Sequence, residues 1–147
     1  MVFPNRSSNH GGSRRGAAAA ELALLAPLLL FVLIVAIDFC RLFFAYTIIT
    51  NAARNGALWA SDPYANGTVT PSQSPYATVQ DAALADASDL NPAPTVLPPT
   101  SGTDGHGNAT VSVTVQYQFN MISSYLGFSN VNLLRQVTMR VAPVAPN

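Results

Sequence analysis

The 147-residue chain has no lysine, a single cysteine, a single tryptophan, and only 10% charged residues, with a formal net charge of zero. All seven basic residues are arginine, a bias that carries no functional reading. The neutral balance and low charge leave no basic face with which to hold a nucleic-acid backbone. Cys40 has no second thiol to pair with, so whatever folds here is stabilised by packing or by partner subunits. His10 and His106 lie far apart, and no HExxH or CxxC spacing occurs, so no metal site is expected. The stretch Asp104-Gly105-His106-Gly107 has one acid and cannot make a calcium loop by itself. No serine stands in a Gly-x-Ser-x-Gly context, so neither catalysis, nor a cofactor, nor a small-molecule substrate is expected.

What the chain does have is apolar residues, at 49% of the total, concentrated near its start. Residues 1–16 are polar and carry Arg6, Arg14 and Arg15 without an acid, which predicts a disordered basic leader. Ala17 to Ile37 then holds one charge, Glu21, and as a helix spans about 31 Å, the thickness of a bilayer hydrocarbon core. It is apolar on every side, unlike a surface helix. The arginines before it predict a cytoplasmic N-terminus and an exported C-terminal region, against which only Arg41 and Arg54 count. Such a chain is a single-pass protein of a cytoplasmic membrane, in contact with its lipid.

The helical pattern runs on to Ala60, with Leu42, Tyr46, Ile49 and Ala53 on one face, so a single helix over 17–60 is expected, with Gly56 weakening its end. Pro27 reads equally as a kink or as a tolerated membrane-helix proline. Asp38 and Arg41 are spaced to pair on one helix face, or to recognise a neighbouring helix. Trp59 and Tyr46 are expected to pack against the exported part. Residues 61–108 hold most of the prolines and read mainly as loop, with a short helix over 76–90 stopped by Asn91-Pro92 and a flexible turn at 101–108. Alternation puts Ala109, Val111, Val113, Val115, Tyr117 and Phe119 on one side of a strand. A second strand, 133–141, places Leu133, Val137, Met139 and Val141 together, with Arg135 out of pattern. The expected fold is α+β: a long N-terminal helix, then a loop, a short helix and an antiparallel β-hairpin over 109–141.

At the boundary between leader and helix stands Arg14-Arg15-Gly16-Ala17-Ala18-Ala19-Ala20-Glu21. A carboxylate one turn inside a membrane helix costs on the order of 3 kcal/mol, so Glu21 needs a partner. Gly16 is a residue that an extended substrate can present at a scissile bond. A glycine, then a glutamate five residues on, behind a basic leader and heading an apolar helix, resembles the processing site of type IV prepilins. The longer stretch 14–60, with Asp38-Phe39-Cys40-Arg41 and Thr50-Asn51-Ala52-Ala53-Arg54-Asn55-Gly56-Ala57, resembles the TadE-like family of the tight-adherence (Flp pilus) system, and 113–119 and 136–141 are similar to that family's end.

The resemblance implies a pilin-like architecture and a minor pilin or pseudopilin of a Flp-type (type IVb) pilus, cut by a prepilin peptidase between Gly16 and Ala17. Glu21 becomes the fifth mature residue, meeting a neighbouring subunit's free amino terminus. Its partners are that peptidase, other pilin-like subunits and inner-membrane lipid. Two residues depart from the pattern: Leu22 stands where phenylalanine is common, and Ala17 follows the scissile bond. The alternatives are an uncleaved membrane-anchored binding module of the cell envelope and, less compatible with so long an apolar run, a secreted protein with a signal peptide. Arg14-Arg15 matches a twin-arginine signal only as a dipeptide, and Asp38-Phe39 before Cys40 occupy positions where a lipidation box has small residues.

Overall fold

The computed structural model describes residues 11–69, 74–127 and 129–144, so that the expected leader lies, over residues 1–10, outside the described residues. Helix α1 runs from Gly11 to Ser61 with Pro27 inside it. It begins before the expected start at Ala17, so residues 11–16 are helical and not the disordered leader read from their composition. The physical reason is propagation: once a long alanine- and leucine-rich helix is nucleated, each further residue adds one hydrogen bond at small cost, and arginine is a good helix former. The chain divides into two units, Met1–Ile37 and Asp38–Asn147. In the first, the described side chains from Gly16 to Leu33 are all exposed, as an apolar run seeking a lipid or protein environment would be.

In the second unit the rest of α1 packs on an antiparallel sheet. Strand β3, Ala109–Phe119, lies in its middle. One side of β3 pairs with β4, Val131–Arg140, from Thr110↔Arg140 to Phe119↔Val131. The other side pairs with two short strands, β1 (Thr95–Val96) and β2 (Thr100–Thr103). Pro98 and Pro99 separate β1 from β2, since proline has no N–H to give to a ladder. The expected hairpin is therefore part of a four-stranded sheet. The region read as a flexible turn, 101–108, is in part strand: Ser101, Gly102 and Thr103 pair with Val111, Thr110 and Ala109.

The alternation of β3 holds, with Val111, Val113, Val115, Tyr117 and Phe119 buried. Val113, Val115, Tyr117 and Phe119 share one core cluster with Ala45, Ile49, Ala52, Ala53 and Ala57 of α1, which recur at helical spacing. The amphipathic face thus runs through Ala45, with Tyr46 at its margin and 39% exposed. The small residues matter because they admit a close approach. A Cβ built on Gly56 would lie 3.0 Å from Val113 Cγ1 and 3.1 Å from Ala83 Cβ. Gly56, read from sequence as a weak point of the helix, is a place where the sheet and Ala83 leave no room for a side chain.

Helix α2, Val79–Leu84, is shorter than the expected 76–90. Thr78 caps it, accepting from the Asp81 N–H while the Asp81 carboxylate accepts from the Thr78 N–H, so two otherwise unpaired donors are satisfied and the start is set. Beyond Leu84 the chain continues in tighter turns, Ala87 N–H to Leu84 O and Leu90 N–H to Ala87 O, which bring Ala87 and Leu90 into the core. Asp86 accepts from Asn55 Nδ2 at 2.9 Å, tying this segment to α1. Trp59 donates to the Tyr76 carbonyl at 3.2 Å. At the C-terminal end of α1, where carbonyls lose their helical partners, Ser61 O accepts from the Ala142 N–H at 2.8 Å.

Candidate processing segment and the Asp38 clamp

Gly16 and Ala17 are adjacent on α1 and Glu21 lies about one turn further on, all exposed. A side chain added at Gly16 would meet nothing within 4 Å. Ala17 and Glu21 are four residues apart and so share a helix face. Among the described residues no hydrogen bond or ion pair reaches Glu21. These three residues form an open surface, with one carboxylate set into an apolar run and available to a second molecule.

Asp38 and Arg41 lie in the other unit, and there the structure adds a role absent from the sequence reading. Asp38 is 1% exposed. Arg41 Nη1 lies 3.2 Å from its Oδ1, the spacing of an i,i+3 pair. The shorter contacts come from far along the chain. The Ile122 N–H donates to Oδ1 at 2.8 Å, and the Ser123 N–H donates to Oδ2 at 2.7 Å. Both belong to a 3₁₀ turn, Ile122–Leu126, in the long connection between β3 and β4. Its preceding residue, Met121, supplies no side-chain cap. The first N–H groups of any helical turn lack internal partners; here a carboxylate from another element provides them. The turn ends at Gly127, whose φ of 94° is a left-handed conformation that glycine adopts without strain and whose N–H donates to Ser124 O.

Arg41 completes the clamp. Its guanidinium lies 5.2 Å from the centre of the Phe119 ring, and Nη1 approaches the Asn120 carbonyl at 3.5 Å. Beside Asp38 is an apolar cleft of about 180 Å³ bordered by Phe39, Leu42, Met121 and Val131. Sequence reasoning found Asp38 and its arginine and missed the turn, because the only local signal was an acid at the end of an apolar run.

Arg135 is a second departure. It occupies the inward phase of β4 between Leu133 and Val137, where the pattern calls for an apolar residue. Its guanidinium lies 4.8 Å from the centre of the Tyr46 ring, and its Nε is buried without a partner. At the far end of the sheet the turn between β2 and β3 is organised by Asp104. The carboxylate accepts from Asn108 Nδ2 and N–H, from Arg140 Nη2 at 2.9 Å and from the His106 N–H. Hydrogen bonds from Asn108 above all, with Arg140 and His106 adding to them, hold the Asp104 carboxyl well below the usual carboxylate range. Among the described residues no group of three His, Cys, Asp or Glu side chains converges to hold a metal.

A long N-terminal helix followed by a short helix and an antiparallel sheet defines an α+β protein, and α1 is long and apolar enough, over Gly16–Ser61, to cross a membrane. Residues 16–58 match the family model described as TadE-like protein, the family that this stretch resembles. The match begins at Gly16, includes Glu21, Asp38 and Arg41, and leaves the sheet outside it. No curated protein and no solved structure matches the chain. The TadE-like match and the candidate membrane helix fall on the same stretch of α1.

Proposed function

We propose that the chain is a minor pilin or pseudopilin that acts in the assembly of a Flp-type pilus, is anchored in the inner membrane by Ala17–Ile37 with its C-terminal region exported, and is cut by a prepilin peptidase after Gly16. The observation that carries the reading is the coincidence, in one TadE-like stretch, of a glycine at the leader boundary and a lone carboxylate at the head of an apolar helix. Gly16 costs a helix interior about 1 kcal/mol relative to alanine, so the first turns open cheaply to give a peptidase an extended strand. The alanines that follow offer it little bulk.

Cleavage leaves a new amino terminus at Ala17. The Glu21 carboxylate, with no partner among the described residues, is costly in lipid by itself and tolerable beside a cation. A neighbouring subunit's Ala17 amine is such a cation and approaches along the helix, so the pair selects register while the apolar faces supply contact area. The function is association; no bond is made or broken by the chain itself.

N-terminal sequencing and intact mass of the protein from its own membranes, beside a Gly16→Ala variant, test this. The expected result is a wild-type chain that starts at Ala17 and a variant that keeps its leader. A full-length wild-type chain, in cells whose other prepilins are processed, would refute the proposal and leave an uncleaved anchored binding module.

A further inference from the structure

We propose that the Ile122–Leu126 turn is a second membrane contact of this chain, held by Asp38 so that Tyr125 and Ile122 lie in the lipid headgroup layer where the spanning helix leaves the bilayer. The proposal rests on Ala17–Ile37 spanning the membrane. Asp38 follows Ile37 by one peptide bond, and its carboxylate grips the backbone of Ile122 and Ser123 at 2.8 and 2.7 Å. Chain connectivity and those two hydrogen bonds alone keep the turn within reach of the bilayer surface.

The residues held there suit that surface. Tyr125 is 94% exposed and Ile122 43%, although the backbone that carries them is pinned to a buried carboxylate. On α1, Phe39 and Phe43 are exposed one turn apart. They rise about 6 Å between them, within a headgroup layer of about 5–8 Å on each side of the hydrocarbon. Arg41, between them, is half-exposed beside Asp38, where a guanidinium reaches lipid phosphates. Tyrosine belongs at such an interface because its ring is apolar and its hydroxyl hydrogen-bonds with water or headgroups. No acid occurs between Phe39 and Ser61 or after Asp104, so nothing exposed in these segments repels anionic headgroups. A protein partner would need its own complementary surface, whereas lipid is already present at this level of the chain.

The test uses full-length protein in vesicles of phosphatidylethanolamine and phosphatidylglycerol, with Trp59→Phe as background and one tryptophan introduced by Tyr125→Trp, His106→Trp or Leu28→Trp. Quenching is read with lipids brominated near the headgroup or deep in the chains, and with aqueous iodide. The expected result is that the probe at 125 is quenched by shallow bromines at least about twofold more than the probe at 106, and is shielded from iodide. Adding Asp38→Ala brings the probe at 125 to the level of 106 while the probe at 28 stays quenched by deep bromines. Equal iodide quenching at 125 and 106, with the probe at 28 lipid-quenched, overturns this proposal alone. An unquenched probe at 28 overturns the spanning reading and this proposal with it. Shielding from iodide without bromine quenching places a protein on the turn and overturns it too, and unchanged quenching after Asp38→Ala removes the role given to Asp38.

Discussion

Replacing Asp38 with alanine strips the Ile122–Leu126 turn of its cap. The two N–H donors at 2.8 and 2.7 Å are satisfied by a charged acceptor, and hydrogen bonds of that kind contribute about 1.5–3 kcal/mol each. Arg41 adds little, because its side chain is 47% exposed and turns to water when its partner is lost. The expected cost of Asp38→Ala is thus about 3–6 kcal/mol, a large share of the 5–15 kcal/mol that typically stabilises a domain. Asp38→Asn keeps one carbonyl oxygen and turns an amide NH2 toward the other donor, so it loses about half as much. Arg41→Met costs less than about 1 kcal/mol. Urea unfolding of the full-length protein in detergent, followed through Trp59, ranks the three variants. Hydrogen exchange at the Ile122 and Ser123 amides gives a local readout, with protection lost in Asp38→Ala. An alanine variant within about 1 kcal/mol of wild type, with both amides still protected, would refute the clamp.

Three further outcomes are expected. Gly56→Ala gains about 1 kcal/mol of helix propensity but drives a methyl to 3.0 Å from Val113, so it is net destabilising by about 1–2 kcal/mol, and Gly56→Val by more; thermal melts of the two variants check the order. Arg135→Met removes a buried, unpaired Nε and keeps the aliphatic stem over Tyr46, so it is neutral or stabilising by about 1 kcal/mol in the same melts, in spite of the lost cation–π contact. The Asp104 carboxyl is depressed in the folded state, so its contribution is complete above the ordinary carboxylate pKa and is lost as pH falls through about 4 toward the lower folded value. Amide exchange in the 104–108 turn accelerates over that acid window in wild type, and in Asp104→Asn the turn lacks this acid dependence.

Much of the fold was legible because its signals are local. The apolar run of α1 and the two-residue alternation of β3 are each contained within a short window. The start of α1 was misplaced because composition reports disorder poorly beside a strong helix. β1 and β2 were missed because a two-residue and a four-residue strand leave no periodicity, and the prolines between them resemble loop. In the candidate site, Gly16 and Glu21 were singled out by their spacing and their place at the leader boundary, and the structure adds only that both are exposed. Asp38 and Arg41 were visible only as neighbours on one helix.

The amino-acid sequence by itself determined a helix long and apolar enough to span a bilayer, the TadE-like character of 16–58, and the face that β3 buries, since hydropathy and periodicity act through adjacent residues. Only the tertiary structure decided that Asp38 caps a turn 84 residues away, that Gly56 lies against Val113 with no room for a side chain, and that Arg135 lies against Tyr46. Each of these depends on which distant segments meet. Hydrogen bonds and van der Waals contacts act over a few ångströms of space whatever the separation along the chain, so no local pattern announces them.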